Sequence, residues 1–232
     1  MPRIARIVIE GLPHHITQRG NNRQDIFFVD DDRKVYLEIL EQQSAKYDLT
    51  IMGYCLMSNH IHLIAIPACE DSLAKVIGRT HFIYAQYINR FHKRSGHLWQ
   101  NRFYSCPLDS RYFYIALSYI ERNPVRAKMT RMPWTYRWSS ASAHTGGEDE
   151  FGLIDVERWR QQSAGINWKS VLRAGMDDRQ INRIRVYCRT GRPLGSDSFV
   201  SRLESIVGRR LRALPIGRPK KKANVKTPKK VR

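Results

Sequence analysis

Apolar positions recur along the chain with two different periods, and the switches between them mark a series of short elements. HHITQR, from His14 to Arg19, is a short extended run closed by Gly20, Asn21 and Asn22, all turn formers, which predicts a strand and then a loop. Behind the acidic turn Asp30 to Asp32, the residues Val35, Tyr36, Ile39 and Leu40 return at helical spacing, with Gln43 and Tyr47 on roughly the same side. LTIMGYCLMS and HIHLIAI are two apolar runs rich in β-branched and aromatic residues, joined at Ser58 and Asn59, as in a β-hairpin. Helical spacing resumes from Ser72 to Arg94, RFYSCPLD reads as a further strand, and Ser110 to Asn123 as a third helix closed by Pro124.

The order strand, helix, strand, strand, helix, strand, helix predicts an α+β fold: a ferredoxin-like antiparallel sheet with helices on one face. TGGEDE, at 145–150, reads as a linker into WKSVLRAGMDDRQINRIRVYCRTGRPLG and FVSRLESIVGRRL, which predict short helices. The expected organisation is a catalytic domain over 1–145, a small helical DNA-binding module over 146–208, and a disordered basic tail over 209–232.

Composition narrows the partner. A hydrophobic fraction of 42% in 232 residues suffices for a core, and the formal charge is +19. Eleven Lys and Arg with no acid fall within 209–232, leaving +8 for the rest. Such an excess favours polyanions through counterion release, which points to nucleic acid ahead of a ribosomal-type or membrane-surface role. Cys55, Cys69, Cys106 and Cys188 are widely spaced, suggesting neither a zinc ribbon nor a disulfide framework but ordinary reduced thiols. No stretch approaches membrane-span length and no secretory h-region is evident, so a cytoplasmic, nucleoid-associated protein is expected.

The candidate chemistry begins with SNHIHLIAI. Residues two apart on a strand share a face, so His60 and His62 are presented together and can share a cation, although the same pattern suits a solvated or hydrogen-bonded face. In ALSYIERNPVRA, Tyr119 and Asn123 are one helical turn apart. An amide oxygen suits Mg²⁺ or Mn²⁺, and a phenol beside such an ion can serve as a nucleophile; the bland alternative is that Tyr119 packs on the sheet and Asn123 caps a helix end.

HHITQRGNNRQDIF, YCLMSNHIHLIAIP, GHLWQNRFYSCPLD, YIERNPVRAKM, WSSASAH and RTGRPLGSDSFVSRLESIVGRRL, in this order, resemble the REP-associated tyrosine transposases of the HUH single-tyrosine superfamily. The resemblance spans most of residues 1–215. It implies a metal-dependent single-stranded DNA endonuclease and strand transferase forming a 5′-phosphotyrosine, acting on hairpin-forming palindromic DNA. His60 and His62 would be the metal pair, Tyr119 the nucleophile and Asn123 a further metal ligand. Relatives often carry glycine where this chain has Asn101. A domesticated, non-catalytic palindrome binder is the alternative, and both a monomer and a homodimer fit the resemblance. Histidine-triad hydrolases need a histidine at Ile64, amidohydrolase barrels need repeating βα units, and rolling-circle initiators and relaxases set their motifs differently.

Basic residues interleaved with aromatics suit single-stranded or hairpin DNA. Arg90, Lys93, Arg94 and Arg102 are contact candidates, with Trp99 as a base-stacking platform, Arg19 at the end of the first strand and Asn21 in the loop after it. In the tail, Gly217, Arg218 and Pro219 followed by Lys220 resemble an AT-hook core, alongside the simpler reading of a solvated electrostatic tail.

Overall fold

The computed structural model describes residues 5–213. Four strands form one sheet: β1 (His14–Arg19), β2 (Leu49–Leu56), β3 (His60–Pro67) and β4 (Tyr104–Pro107). Their spatial order is β2-β3-β1-β4 and every pairing is antiparallel, which is the ferredoxin-like arrangement expected. Ser58 and Asn59 make the tight β2–β3 connection, closed by Met57 N–H donating to His60 O at 2.9 Å. β1 then enters between β3 and β4 and sets His15 opposite both Ile64 and Cys106.

Alternation along the strands gives the sheet two faces. Ile16, Ile61, Leu63 and Ala65 are fully buried on one, under α1 (Asp30–Lys46) and α2 (Ser72–Phe91), which pack on each other and on β2. α1 starts where the Asp32 carboxylate reaches back to the N–H groups of Phe28 and Val29, at 2.7 and 3.0 Å, satisfying donors that have no intrahelical partner. The same buried carboxylate meets His92 and Tyr87, which fastens α1 to the end of α2.

The opposite face carries His15, Thr17, Arg19, His60 and His62, and helices cover it too. α3 (Ser110–Glu121) and α5 (Ala141–His144) approach the sheet at Gly53, where an added Cβ would stand 2.4 Å from Leu117 Cδ1 and 3.2 Å from Ser140 Oγ. The sequence pattern predicts the third helix but places helices on one face only; α3 packs on the other face at Gly53, beside a β2 register shift between Ile51 and Gly53.

α4 (Asn123–Arg126) follows α3 almost directly. Beyond 145–150 come α6 (Val156–Gln162), α7 (Trp168–Ala174), α8 (Asp178–Thr190) and α9 (Asp197–Val207). They sit against the sheet layer: Trp159, Trp168, Leu172, Ile184 and Cys188 belong to the same buried hydrophobic cluster as the strands. α9 packs Phe199, Val200 and Leu203 on Ile7 and Leu211 in a smaller second cluster. Among the described residues, no helix is long and apolar enough to cross a membrane.

Candidate active site

β3 brings the two histidines to one face because its side chains alternate, and their rings lie 5.1 Å apart between centroids, edge to face. α3 crosses above them. The Tyr119 ring is 5.7 Å from His62 and 5.9 Å from His15, centroid to centroid. Asn123 closes the group, with its amide nitrogen 3.3 Å from His60 Nε2. The two imidazoles, the phenol and the amide thus converge within one chain.

Tyr119 and Asn123 do not share an uninterrupted helix, which corrects the simple one-turn expectation. α3 stops at Glu121 because Pro124 has no N–H and its ring crowds the carbonyl four residues earlier. The chain resumes as α4 with Pro124 in its first turn. Arg126 bridges the break: it donates to Tyr119 O at 2.9 Å and to Asn123 Oδ1 at 2.8 Å, and its guanidinium lies 4.2 Å from the Tyr119 ring centroid.

Burial decides the charge of the histidines. Loss of solvation, aided by Arg19 and Arg126, pushes His60 down to about 4. His62 is pushed well below its usual value by burial first, then by His15 and His60 and the two arginines. Both rings are therefore neutral at pH 7, the form in which imidazole offers a lone pair to a metal. His62 Nδ1 is already engaged, 2.9 Å from His15 Nε2, which leaves Nε2 as its ligating atom. His60 Nδ1 faces Asn59 Oδ1 at 2.6 Å and so carries its proton there, freeing Nε2 on the Asn123 side. The two imidazole nitrogens fit a divalent cation on the basis of these tautomers, whereas Asn123 presents its NH₂ to His60 and its oxygen to Arg126, so its amide would have to turn to join them.

The other sequence candidates scatter. Arg19 is exposed and lies opposite His60 in the β1–β3 register, at the rim of the site. Asn21 is half-buried beside it, with its N–H on Leu98 O. Arg90, Lys93 and Arg102 are exposed, whereas Arg94 is tied to Gln24 Oε1 at 2.6 Å and lies over the Phe28 ring. Trp99 departs from the expected platform: its indole N–H donates to His81 O and its ring stacks on His81 at 4.2 Å, turned toward the core. Asn101 adopts φ +61°, a left-handed conformation that glycine takes freely and asparagine tolerates best among the others. Arg218 and Lys220 lie outside the described residues.

Several neighbours went unread in the sequence. His15, Arg126 and the buried Glu121 contact the group or its helix. Glu121 accepts from Ser140 Oγ at 2.7 Å, His144 Nδ1 at 2.5 Å and Trp168 Nε1 at 2.8 Å. The only signals were the second histidine of HHITQR, the acid between Tyr119 and Asn123, and Arg126 three residues past Asn123. Cys106 and Cys188 are free thiols, as expected, and they meet each other and His15, which their wide spacing in the sequence does not show. Their contact pulls the Cys106 thiol below its usual range and pushes Cys188 well above.

Comparison with known proteins bears on this geometry. No curated protein matches the chain at a significant level. Among solved structures, that of a REP-associated tyrosine transposase bound to a REP hairpin superposes with TM-score 0.55 at 16% identity, over 67% of this chain and 90% of that one. That likeness establishes the fold. A second solved chain, from Deinococcus radiodurans R1, aligns with TM-score 0.37 at 14% identity over 56% of this chain and 94% of that one, too low a score to carry inference. Residues 9–123, from just before β1 to Asn123, match the family described as "Transposase IS200 like", so the chain belongs to the IS200-like transposases and has the fold of a REP-associated tyrosine transposase.

Proposed function

We propose that this transposase is a divalent-metal-dependent nuclease and strand transferase that cuts single-stranded DNA through a 5′-phosphotyrosine. The observation that carries the reading is the convergence of His60, His62 and Tyr119 across β3 and α3. In the proposed step the Tyr119 oxygen attacks phosphorus, the bond to the 3′-oxygen breaks, and the phenol's proton goes to that leaving oxygen. The bond energy is retained in the phosphotyrosine, so a later 3′-hydroxyl reverses the step without ATP.

His60 Nε2, His62 Nε2 and the Asn123 amide would hold Mg²⁺ or Mn²⁺, with Asn123 turned so that its oxygen faces His60. When bound, the ion neutralises charge on the non-bridging phosphate oxygens. Arg126 holds the Tyr119 ring through its contact with the ring face and its bond to the Tyr119 carbonyl. Arg19, at the rim, is suited to a backbone phosphate, as are the exposed Arg90, Lys93 and Arg102, with Asn21 beside Arg19. The helices over 146–208 are assigned to DNA binding, and the basic residues from Arg209 onward to non-specific affinity. The substrate class is hairpin-forming, REP-like palindromic DNA, by likeness to the hairpin-bound relative.

The test is to mix the full chain with Mn²⁺ and an end-labelled hairpin oligonucleotide. A covalent adduct that disappears in Tyr119→Phe is expected. An adduct persisting in Tyr119→Phe ends this reading, and hairpin binding with no adduct under any divalent metal favours the non-catalytic binder.

A further inference from the structure

His15, Cys106 and Cys188 come from three elements and meet beside the candidate active site, on the same face of the sheet. His15 on β1 and Cys106 on β4 are direct cross-strand partners. Cys188 is brought to them by α8, whose end is fixed by Gly191 in a left-handed cap at φ +70°. A ring nitrogen of His15 and the two sulfurs all lie within 4.8 Å of one another, and all three residues are buried. His15 Nε2 is spent on His62, whereas its Nδ1 is buried without a hydrogen-bond partner. A buried unpaired imidazole nitrogen next to two buried sulfurs is costly as it stands, and a cation would satisfy all three.

We propose that His15 Nδ1, Cys106 Sγ and Cys188 Sγ form a binding site for a thiophilic cation of the Zn²⁺ class, separate from the His60–His62 pair and coupled to it through His15. Tetrahedral zinc holds such donors about 3.5–3.8 Å apart, so the cluster needs to contract by about 1 Å. The sulfurs release their protons to solvent on binding, and a fourth position is left for water. Two thiolates and an imidazole select Zn²⁺ over Mg²⁺ or Mn²⁺, which prefer oxygen.

The coupling follows from counting protons. With a cation on Nδ1, the neutral His15 ring carries its proton on Nε2 and donates it to His62 Nδ1. Neutral His62 then holds its own proton on Nε2, the atom assigned to the catalytic ion. Occupancy of this site therefore opposes loading of the His60–His62 site, a consequence that rests on the function proposed above.

The experiment is a Co²⁺ titration of the full chain with a phosphine reductant. One equivalent should give a near-ultraviolet thiolate-to-cobalt charge-transfer band, removed by Zn²⁺, lost in Cys106→Ser and in Cys188→Ser, and kept in His60→Ala. Absence of the band in the folded wild-type chain, or its survival in the double cysteine variant, overturns the site. For the coupling, Mn²⁺ binding followed by electron paramagnetic resonance should weaken at least tenfold with one equivalent of Zn²⁺, and not in Cys188→Ser. An unchanged Mn²⁺ affinity overturns the coupling. Failure of the DNA-adduct assay would count against the proposed chemistry and leave the cobalt band, which needs no DNA, unaffected.

Discussion

Replacing Glu121 with glutamine tests whether a buried carboxylate fastens the helix of the proposed nucleophile. Its two oxygens accept from Ser140, His144 and Trp168, donors on the residue preceding α5, on α5 itself and on α7. An amide has one acceptor and one donor end. With its oxygen toward Ser140 and His144, its NH₂ faces the Trp168 N–H and both donors go unpaired. With its oxygen toward Trp168, Ser140 can turn, but His144 must move its proton to Nε2, a buried atom with no partner. The second arrangement strands one buried donor and the first strands two, so the less costly of them loses about 1–3 kcal/mol. For a chain of this size that lowers the melting temperature by about 2–12 °C. Calorimetry at pH 7 reads the shift, and adduct formation well below melting reads the displacement of Tyr119. A Glu121→Gln protein melting within about 1 °C of wild type would refute the reasoning.

Three other perturbations probe the frame. Acid should destabilise the fold: burial pushes His81 down to about 3 and His14 to about 4, so below the unfolded value near 6.5 the unfolded chain takes up the protons, costing about 1.4 kcal/mol per pH unit for each group, and an unchanged melting temperature between pH 7 and 5 would contradict this. Gly53→Ala drives a Cβ into Leu117 and should cost about 1–3 kcal/mol, recovered in part by adding Leu117→Val, whereas strict additivity of the two changes in denaturant titrations would exclude the clash. Asn101→Ala should lose about 1 kcal/mol at its left-handed φ while Asn101→Gly loses none, and equal melting temperatures for the two variants would dispose of the strain argument.

The elements that could be read in the sequence are those whose signal is local. α1, α2 and the β2–β3 hairpin carry their period within one segment, and His60 and His62 share a face by strand geometry alone. What depends on pairing between distant segments was not legible. Nothing in HHITQR says that β1 enters between β3 and β4, and that insertion sets His15 beside both His62 and Cys106. Trp99 looks like a stacking platform in a basic, aromatic stretch, and only the position of His81 on α2 turns it inward. Glu121 reads as a surface charge until Trp168 and His144 fold over it.

Because β3, α3 and α4 of a single polypeptide supply the imidazoles, the phenol and the amide, each copy carries every group on which the proposed chemistry rests. Two crippled chains, one lacking His60 and the other Tyr119, would gain nothing from being combined. Under the proposed function, an assembly of copies would hold one full set of these groups per chain instead of sharing halves between neighbours.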